Sequence, residues 1–289
     1  MEQLFWNSIV SGLMLALVAV GFGLIFNVLK VFHIAHGAVY ISGGYFFLWI
    51  NLFSQQNLII SLILTVVFVI LLGIIIEKLV YKPLANRNSG QAITLISSMG
   101  LYILLINFIA MLFGNESRIV ESSFASGYDF NNIIITPFQL VQFIVSLVVL
   151  IIFFGFSKSN YFLKVRAVIS NQQVASVLGI NSHYIRFFAI ATGSILAVIS
   201  CILRFYDIGI DPHAGMSIML SAAVVVIITG SFSLAGTVMV AILLSLLQTI
   251  AEWFLSAQWK EGVTFAVLII ILLWKTEGIV SYKMRIEEN

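Results

Sequence analysis

Residues 4–29 read LFWNSIVSGLMLALVAVGFGLIFNVL, a stretch without a single charged side chain. A helix needs roughly 20 apolar residues to cross the hydrocarbon core of a bilayer, and this stretch exceeds that length. Comparable runs recur near 57–77, 92–113, 137–157, 186–204 and 262–280. The 289-residue chain is 61% hydrophobic and 9% charged, with a mean hydropathy of +1.11. A water-soluble domain of this length cannot hide so much apolar surface. The pattern predicts an all-α, polytopic transmembrane helical bundle that works in or across a bilayer.

No polar linker or low-complexity segment divides the chain. The longest stretches between runs, about 114–136 and 158–185, are too short to fold independently. A single domain over 1–289 is expected. The first charged residue is Glu2 and no basic region precedes the first run, so that run reads as a retained span rather than a cleaved leader. Cys201 is the lone cysteine and lies in an apolar segment; disulfides are not in play.

Most of the basic residues gather in three clusters: Lys78, Lys82 and Arg87; Lys158, Lys164, Arg166 and Arg186; and Lys275, Lys283 and Arg285. Cytoplasmic loops collect Lys and Arg, which places these clusters, Lys30 and the C-terminus inside and the N-terminus outside. Arg118, Arg204 and Lys260 fall singly in the intervening loops, together with Glu116, Glu121, Asp129, Asp207, Asp211, Glu252 and Glu261. Trp6, Trp253, Trp259 and Trp274 lie near span ends, as an aromatic belt requires.

Residues 218–251 start and finish on the outer side, and the block Thr229-Gly-Ser-Phe-Ser-Leu-Ala-Gly-Thr237 sits in their middle. Two glycines and small hydroxyl residues loosen a helix and let backbones approach. The expectation is a pair of short segments, either a hairpin crossing twice or a re-entrant loop, giving eight or nine membrane elements. Irregular backbone at membrane depth must be buried in protein or line a water-filled path; tight helix packing is the alternative use of the same residues.

A second polar interruption runs from Asn27 to Gly44. His33 and His36 are three apart, on one face if helical. Gly37, Ser42, Gly43 and Gly44 leave a small surface before Tyr45, Phe46, Phe47 and Trp49. Glycine-interrupted spans are how transporters break helices around a substrate path. In the plainer reading, both histidines sit at the cytoplasmic interface and bond to helix ends. Two histidines at this spacing want a third ligand before they hold a metal, and only the distant His183 and His213 remain.

In the loop 158–184, apolar or small residues at 167, 168, 174, 175 and 178 recur at helical spacing. Gly179 reads as a stop and Asn181 as a new cap. The expectation is a short amphipathic helix over about 167–180, lying on lipid or docked in a groove of a cytosolic partner; its low basic content favours the partner.

These segments carry a resemblance. His33-Ile-Ala-His36-Gly37-Ala-Val-Tyr40 resembles the Asn-Phe-Ala-His-Gly-Glu signature of permease subunits of branched-chain amino acid ABC importers. Glu77-Lys-Leu-Val-Tyr81-Lys-Pro83-Leu84 is similar to the family's Glu…Tyr-Arg-Pro-Leu segment, and Leu95-Ile-Ser-Ser-Met-Gly100 to its next helix start. Arg166-Ala167 with Ala175-Ser-Val-Leu-Gly-Ile-Asn181 resembles the loop that engages the ATPase. The likeness runs in order from about residue 8 to 280.

The resemblance implies a translocation subunit of a bacterial cytoplasmic (inner) membrane importer for branched-chain or other hydrophobic amino acids. Its implied partners are a second homologous permease, two cytosolic ATP-binding subunits, an external or periplasmic solute-binding protein and membrane lipid; nucleic acid is not among them. It binds no cofactor itself, ATP and Mg belonging to the partner subunits, and the chain indeed carries no G-x-x-x-x-G-K-[ST] loop. The substrate pathway is expected along His33, His36, Gly37, Tyr40, Ser42, Gly43, Gly44 and Trp49, and along Gly230, Ser231, Ser233 and Gly236. ATPase coupling is expected at Arg166, Ala167, Asn171, Ala175, Leu178, Gly179 and Ile180.

The chain departs from the family pattern in places. His33 stands for the signature's Asn, Ala38 for its acidic residue, and Ser170-Asn171 for an acidic pair. Phe232-Ser-Leu-Ala-Gly236 stands for Gly-Ser-Ile-Pro-Gly. Loss of an acidic partner for a substrate amino group keeps urea and short amides open as cargo. An ion-coupled secondary carrier would keep ionisable groups near mid-membrane, yet every Asp and Glu falls in a loop or near a span end. An enzyme would have to draw on His36, His183, Asp207, Asp211 and His213, which this topology spreads over both membrane sides.

Overall fold

A computed structural model describes residues 2–54, 57–87, 89–118, 127–130, 133–230 and 232–275. Ser231, Glu121, Lys283 and Arg285 lie outside the described residues. In chain order come α1 (Glu2–Leu29), α2 (Ala35–Phe53) and α3 (Leu58–Ile76), which runs through a π-helical turn (Glu77–Tyr81) into α4 (Lys82–Asn86). Then follow α5 (Gln91–Phe113), β1 (Tyr128–Phe130), β2 (Ile133–Ile135) and α6 (Pro137–Phe156). The short α7 (Asn160–Ser170) and α8 (Gln172–Val177) precede α9 (Ser182–Ile208), α10 (Ala214–Thr229), α11 (Leu234–Phe254) and α12 (Trp259–Trp274). The helical bundle is as expected, except for one small antiparallel hairpin that pairs Tyr128 with Ile135 and Phe130 with Ile133.

Six helices are long and apolar enough to span a membrane by length and composition: α1, α3 with its extension, α5, α6, α9 and α11. The chain is a multi-pass membrane protein. α2, α10 and α12 complete the bundle; α10 is the shorter apolar helix at 16 residues. The block 229–237 is thus the junction of a helical hairpin, with α10 closing on Gly230 at φ 79° and α11 opening on Ser233. Glycine accepts that left-handed φ without penalty, and the Ser233 hydroxyl accepts a hydrogen bond from Gly236 N at 3.2 Å.

α1 is apolar all round, and such a helix belongs inside. In its most apolar window 83% of residues are buried, against 28% for α3 and 22% each for α5 and α6. The latter three turn Ile, Leu, Val and Phe side chains outward, the surface that lipid or another apolar partner covers. Glycine lets α1 be approached backbone to backbone: a Cβ on Gly21 would stand 2.8 Å from the Gly193 carbonyl of α9.

The bundle has two chemically distinct ends. At one, Lys30, Lys82 and Arg186 gather around a cleft with residues of α4, α8 and the start of α9. At the other, Gln3 and Asn7 of α1 meet Gln139 of α6, Asp207 of α9, Glu252 of α11 and Lys260 of α12. The β hairpin is tied there, Gln3 Nε2 donating to the Ile134 carbonyl at 3.0 Å and Ile134 N donating to Gln3 Oε1 at 2.7 Å.

The helix expected over 167–180 is two helices. Asn171 sits between them at φ −155°, and its Oδ1 accepts hydrogen bonds from Gln173 N and Val174 N at 3.0 and 3.1 Å. An N-cap side chain satisfies the free amides of a new helix, so a chain with Asn at this point starts again rather than continuing. Gly179 at φ 78° ends α8, and Asn181 caps α9 through His183 N at 3.0 Å.

Candidate functional site

The α1–α2 junction is enclosed. His33 Nδ1 lies 2.6 Å from the Tyr81 hydroxyl, which in turn lies 2.8 Å from Ser98 Oγ, and Ala35 N donates to that same oxygen at 3.0 Å. Loop 30–34, the π turn and α5 are thereby pinned together. Burial holds the His33 imidazole well below its ordinary range, and His36 beside it acts in the same direction. The two rings are 5.6 Å apart; His36 is fully buried and neither of its ring nitrogens has a partner among the described residues.

Gly37, Tyr40, Ser42, Gly43 and Gly44 are buried as well. A Cβ on Gly37 would meet the Gly215 carbonyl of α10 at 2.5 Å, and one on Gly43 would meet Val198 and Val69. The glycines of α2 therefore serve close helix contact. Trp49 turns to the outside, 43% exposed, against Phe46 and Phe53. Gly230, Ser233 and Gly236 form the α10–α11 junction, where Phe232 stacks on Phe162 of α7. α1 separates the two predicted groups, with Phe22 beside His36 and Gly23 beside Phe232.

Tyr40 reaches polar space. It lines two chambers of about 130 and 200 Å³. The smaller shares Ser11, Ser245 and Lys260 with a wider cavity of about 730 Å³ at the end opposite the basic one. Arg204 and Ile218 border both chambers. Together they form one polar recess descending from that end between α1, α2, α9, α10, α11 and α12.

The recess brings in side chains that sequence reading left in loops. Arg204 lies inside α9 and Lys260 near the start of α12, both half-buried. The available signal was a lone cation at the tip of each apolar run. Asp211, by contrast, belongs to a capped turn: its carboxylate accepts from His213 N at 2.6 Å and from the Ser117 hydroxyl at 3.1 Å.

At the basic end α8 presents Val177 and Leu178, 88% and 73% exposed, while Ala175 is buried under it. Arg166 is exposed on α7 over the Phe162 ring; Ala167 and Ile180 are partly buried, and Asn171 and Gly179 are exposed. Behind α8 lies a cleft of about 700 Å³. On its wall Arg186 Nη2 stands 2.6 Å from Glu77 Oε1, each side chain 12% exposed. The start of α9 is thus tied to the π turn that also carries Tyr81.

Comparison with known proteins places this geometry. The family model described as branched-chain amino acid transport system / permease component matches residues 4–272. The chain is 28% identical to the high-affinity branched-chain amino acid transport system permease protein LivH of Salmonella typhimurium, covering 97% of this chain and 95% of the relative. It is 27% identical to BraD of Pseudomonas aeruginosa, over 95% and 94%. It is 25% identical to the probable branched-chain amino acid transport permease protein LivH of Methanocaldococcus jannaschii, over 97% and 91%. Among solved structures, PsaBC from Streptococcus pneumoniae in complex with Fab aligns with a TM-score of 0.50 at 13% identity, covering 92% of this chain and 90% of that one; the likeness is one of fold.

Proposed function

Because the chain belongs to the branched-chain amino acid transport system permease component family, we propose that it is the translocation subunit of an ATP-driven importer. It sits in a bacterial cytoplasmic membrane and carries branched-chain or other hydrophobic amino acids delivered by an external solute-binding protein. The observation that carries this reading is the family match over 4–272, which leaves almost none of the bundle unaccounted for. A second homologous permease completes the membrane unit. Two cytosolic subunits bring ATP and Mg to the basic end, where the apolar residues Val177 and Leu178 stand in the open.

Nucleotide-driven closure of those subunits pushes on α8. The displacement passes into α9, through Arg186 to Glu77, and along the π turn to Tyr81, His33 and the start of α2. α2 carries Tyr40, the floor of the recess. Outer access is the recess itself, and the π turn and the α10–α11 junction are the places where the helices rearrange to open the other side. Ala38 is fully buried, so its replacement of an acidic residue alters packing rather than the recess wall; this favours amino acids over urea or short amides.

The test is reconstitution in proteoliposomes with the cognate ATPases and binding protein. Uptake of labelled L-leucine is expected only with ATP present. If the purified chain alone accumulates solute on an ion gradient, the carrier reading replaces this one.

A further inference from the structure

We propose that Arg204 and Lys260 form the carboxylate-binding end of an amino-acid site within the outer recess. The proposal rests on the importer reading and names where that importer holds its cargo.

Both cations border the 130 Å³ chamber, entering it from α9 and α12. Among the described residues the one ion pair is Arg186–Glu77 at the basic end, so neither Arg204 nor Lys260 has a carboxylate within 4.0 Å. Two like charges half-buried in a membrane bundle repel each other and lose hydration, and such groups mark sites of function. An entering anion offsets both costs. A carboxylate suits this pair, because a guanidinium takes two of its oxygens side by side and an ammonium adds a point charge.

The surroundings match the rest of an α-amino acid. Met14, Leu15, Val18 and Ile218 give the chamber an apolar wall deep to the cations, where a branched aliphatic side chain sits. Asp207 and Glu252 border the wider cavity together with Lys260, where they face the substrate ammonium. Ser217, Ser221 and Gln248 supply neutral hydrogen-bonding groups between the two. From the outer end inward the lining thus runs from carboxylates through cations to an apolar wall, matching the order ammonium, carboxylate, side chain.

The experiment uses the complete transporter in proteoliposomes, with L-leucine as the probe. Arg204→Gln and Lys260→Gln are each expected to lower ATP-driven uptake about ten- to a hundredfold, the range for losing a charge-assisted hydrogen bond. Arg204→Lys should recover part of that loss. ATP hydrolysis stimulated by the loaded binding protein should persist in all three variants, which separates cargo binding from receptor docking. Uptake unchanged in both Gln variants overturns the proposal, and so does a parallel fall of uptake and stimulated hydrolysis. If Arg204→Gln fails to assemble, Lys260→Gln at the rim decides by the same criteria. A wild-type complex that takes up no leucine with ATP overturns the importer reading itself, a result distinct from any variant effect.

Discussion

A single oxygen, Glu77 Oε1, receives Arg186 at 2.6 Å in a setting where each side chain is 12% exposed. Removing one partner of an enclosed pair strands the other charge and costs about 3–5 kcal/mol. Glu77→Gln is therefore expected to lower the melting temperature of the detergent-solubilised transporter and to reduce uptake per ATP hydrolysed. The exchange Glu77→Arg with Arg186→Glu should recover much of both, measured by thermal shift and by paired uptake and hydrolysis assays. Glu77 was visible in sequence as part of a recognisable segment, but its partner lies more than a hundred positions away and no periodicity announces it. Gly37 and Gly43 were legible as small surface, yet close packing and a substrate path ask for the same residues. Gly215, Val69 and Val198, the neighbours that make the packing close, come from helices far along the chain, and no local pattern announces them.

Among the elements, the pair α7–α8 shows how one side chain redirects a chain. Its amphipathic spacing was readable, as were Gly179 and Asn181 as boundary residues; the break at Asn171 was not, because Asn is tolerated inside helices and its capping role depends on backbone φ. Asn171→Ala should remove about 1 kcal/mol of local stability and raise amide hydrogen exchange in 172–177, while Asn171→Asp should leave it unchanged. Gly179→Trp forces a bulky side chain into a left-handed backbone at an exposed position with open space around it. It is expected to leave assembly intact while uncoupling hydrolysis from uptake; equal uptake per ATP would count against α8 as the coupling contact.

At the level of the molecule, hydropathy foretold a multi-pass helical bundle, in which six helices are long and apolar enough to span, and the positions of Lys30, Lys82 and Arg186 foretold one shared basic end. It could not foretell that α1 stands in the middle, because an apolar helix reads alike whether it faces lipid or protein. The inner chamber of the recess was equally hidden: its polar lining is supplied one or two residues at a time by six helices. Cysteine scanning in a Cys201→Ser background addresses this arrangement, since the native thiol is buried. A membrane-impermeant maleimide added from outside is expected to modify cysteine at Asn7 and Thr249, which line the wide outer cavity, and to spare cysteine at Ser42. Labelling at Ser42 in the resting transporter would relocate the path to α2.

Gly21 against Gly193 and Gly37 against Gly215 leave no room for a side chain between the helices. Meshed like gear teeth, α1 with α9 and α2 with α10 have no clearance to slide, so each couple must travel as a block during a transport cycle. Flexure is then confined to joints without such meshing: the π turn 77–81, Asn171 and the α10–α11 junction. A cross-link between cysteines at Met14 and Ser200, where Ser200 Oγ already donates to the Met14 carbonyl at 2.9 Å, should accordingly leave ATP hydrolysis stimulated by the binding protein undiminished.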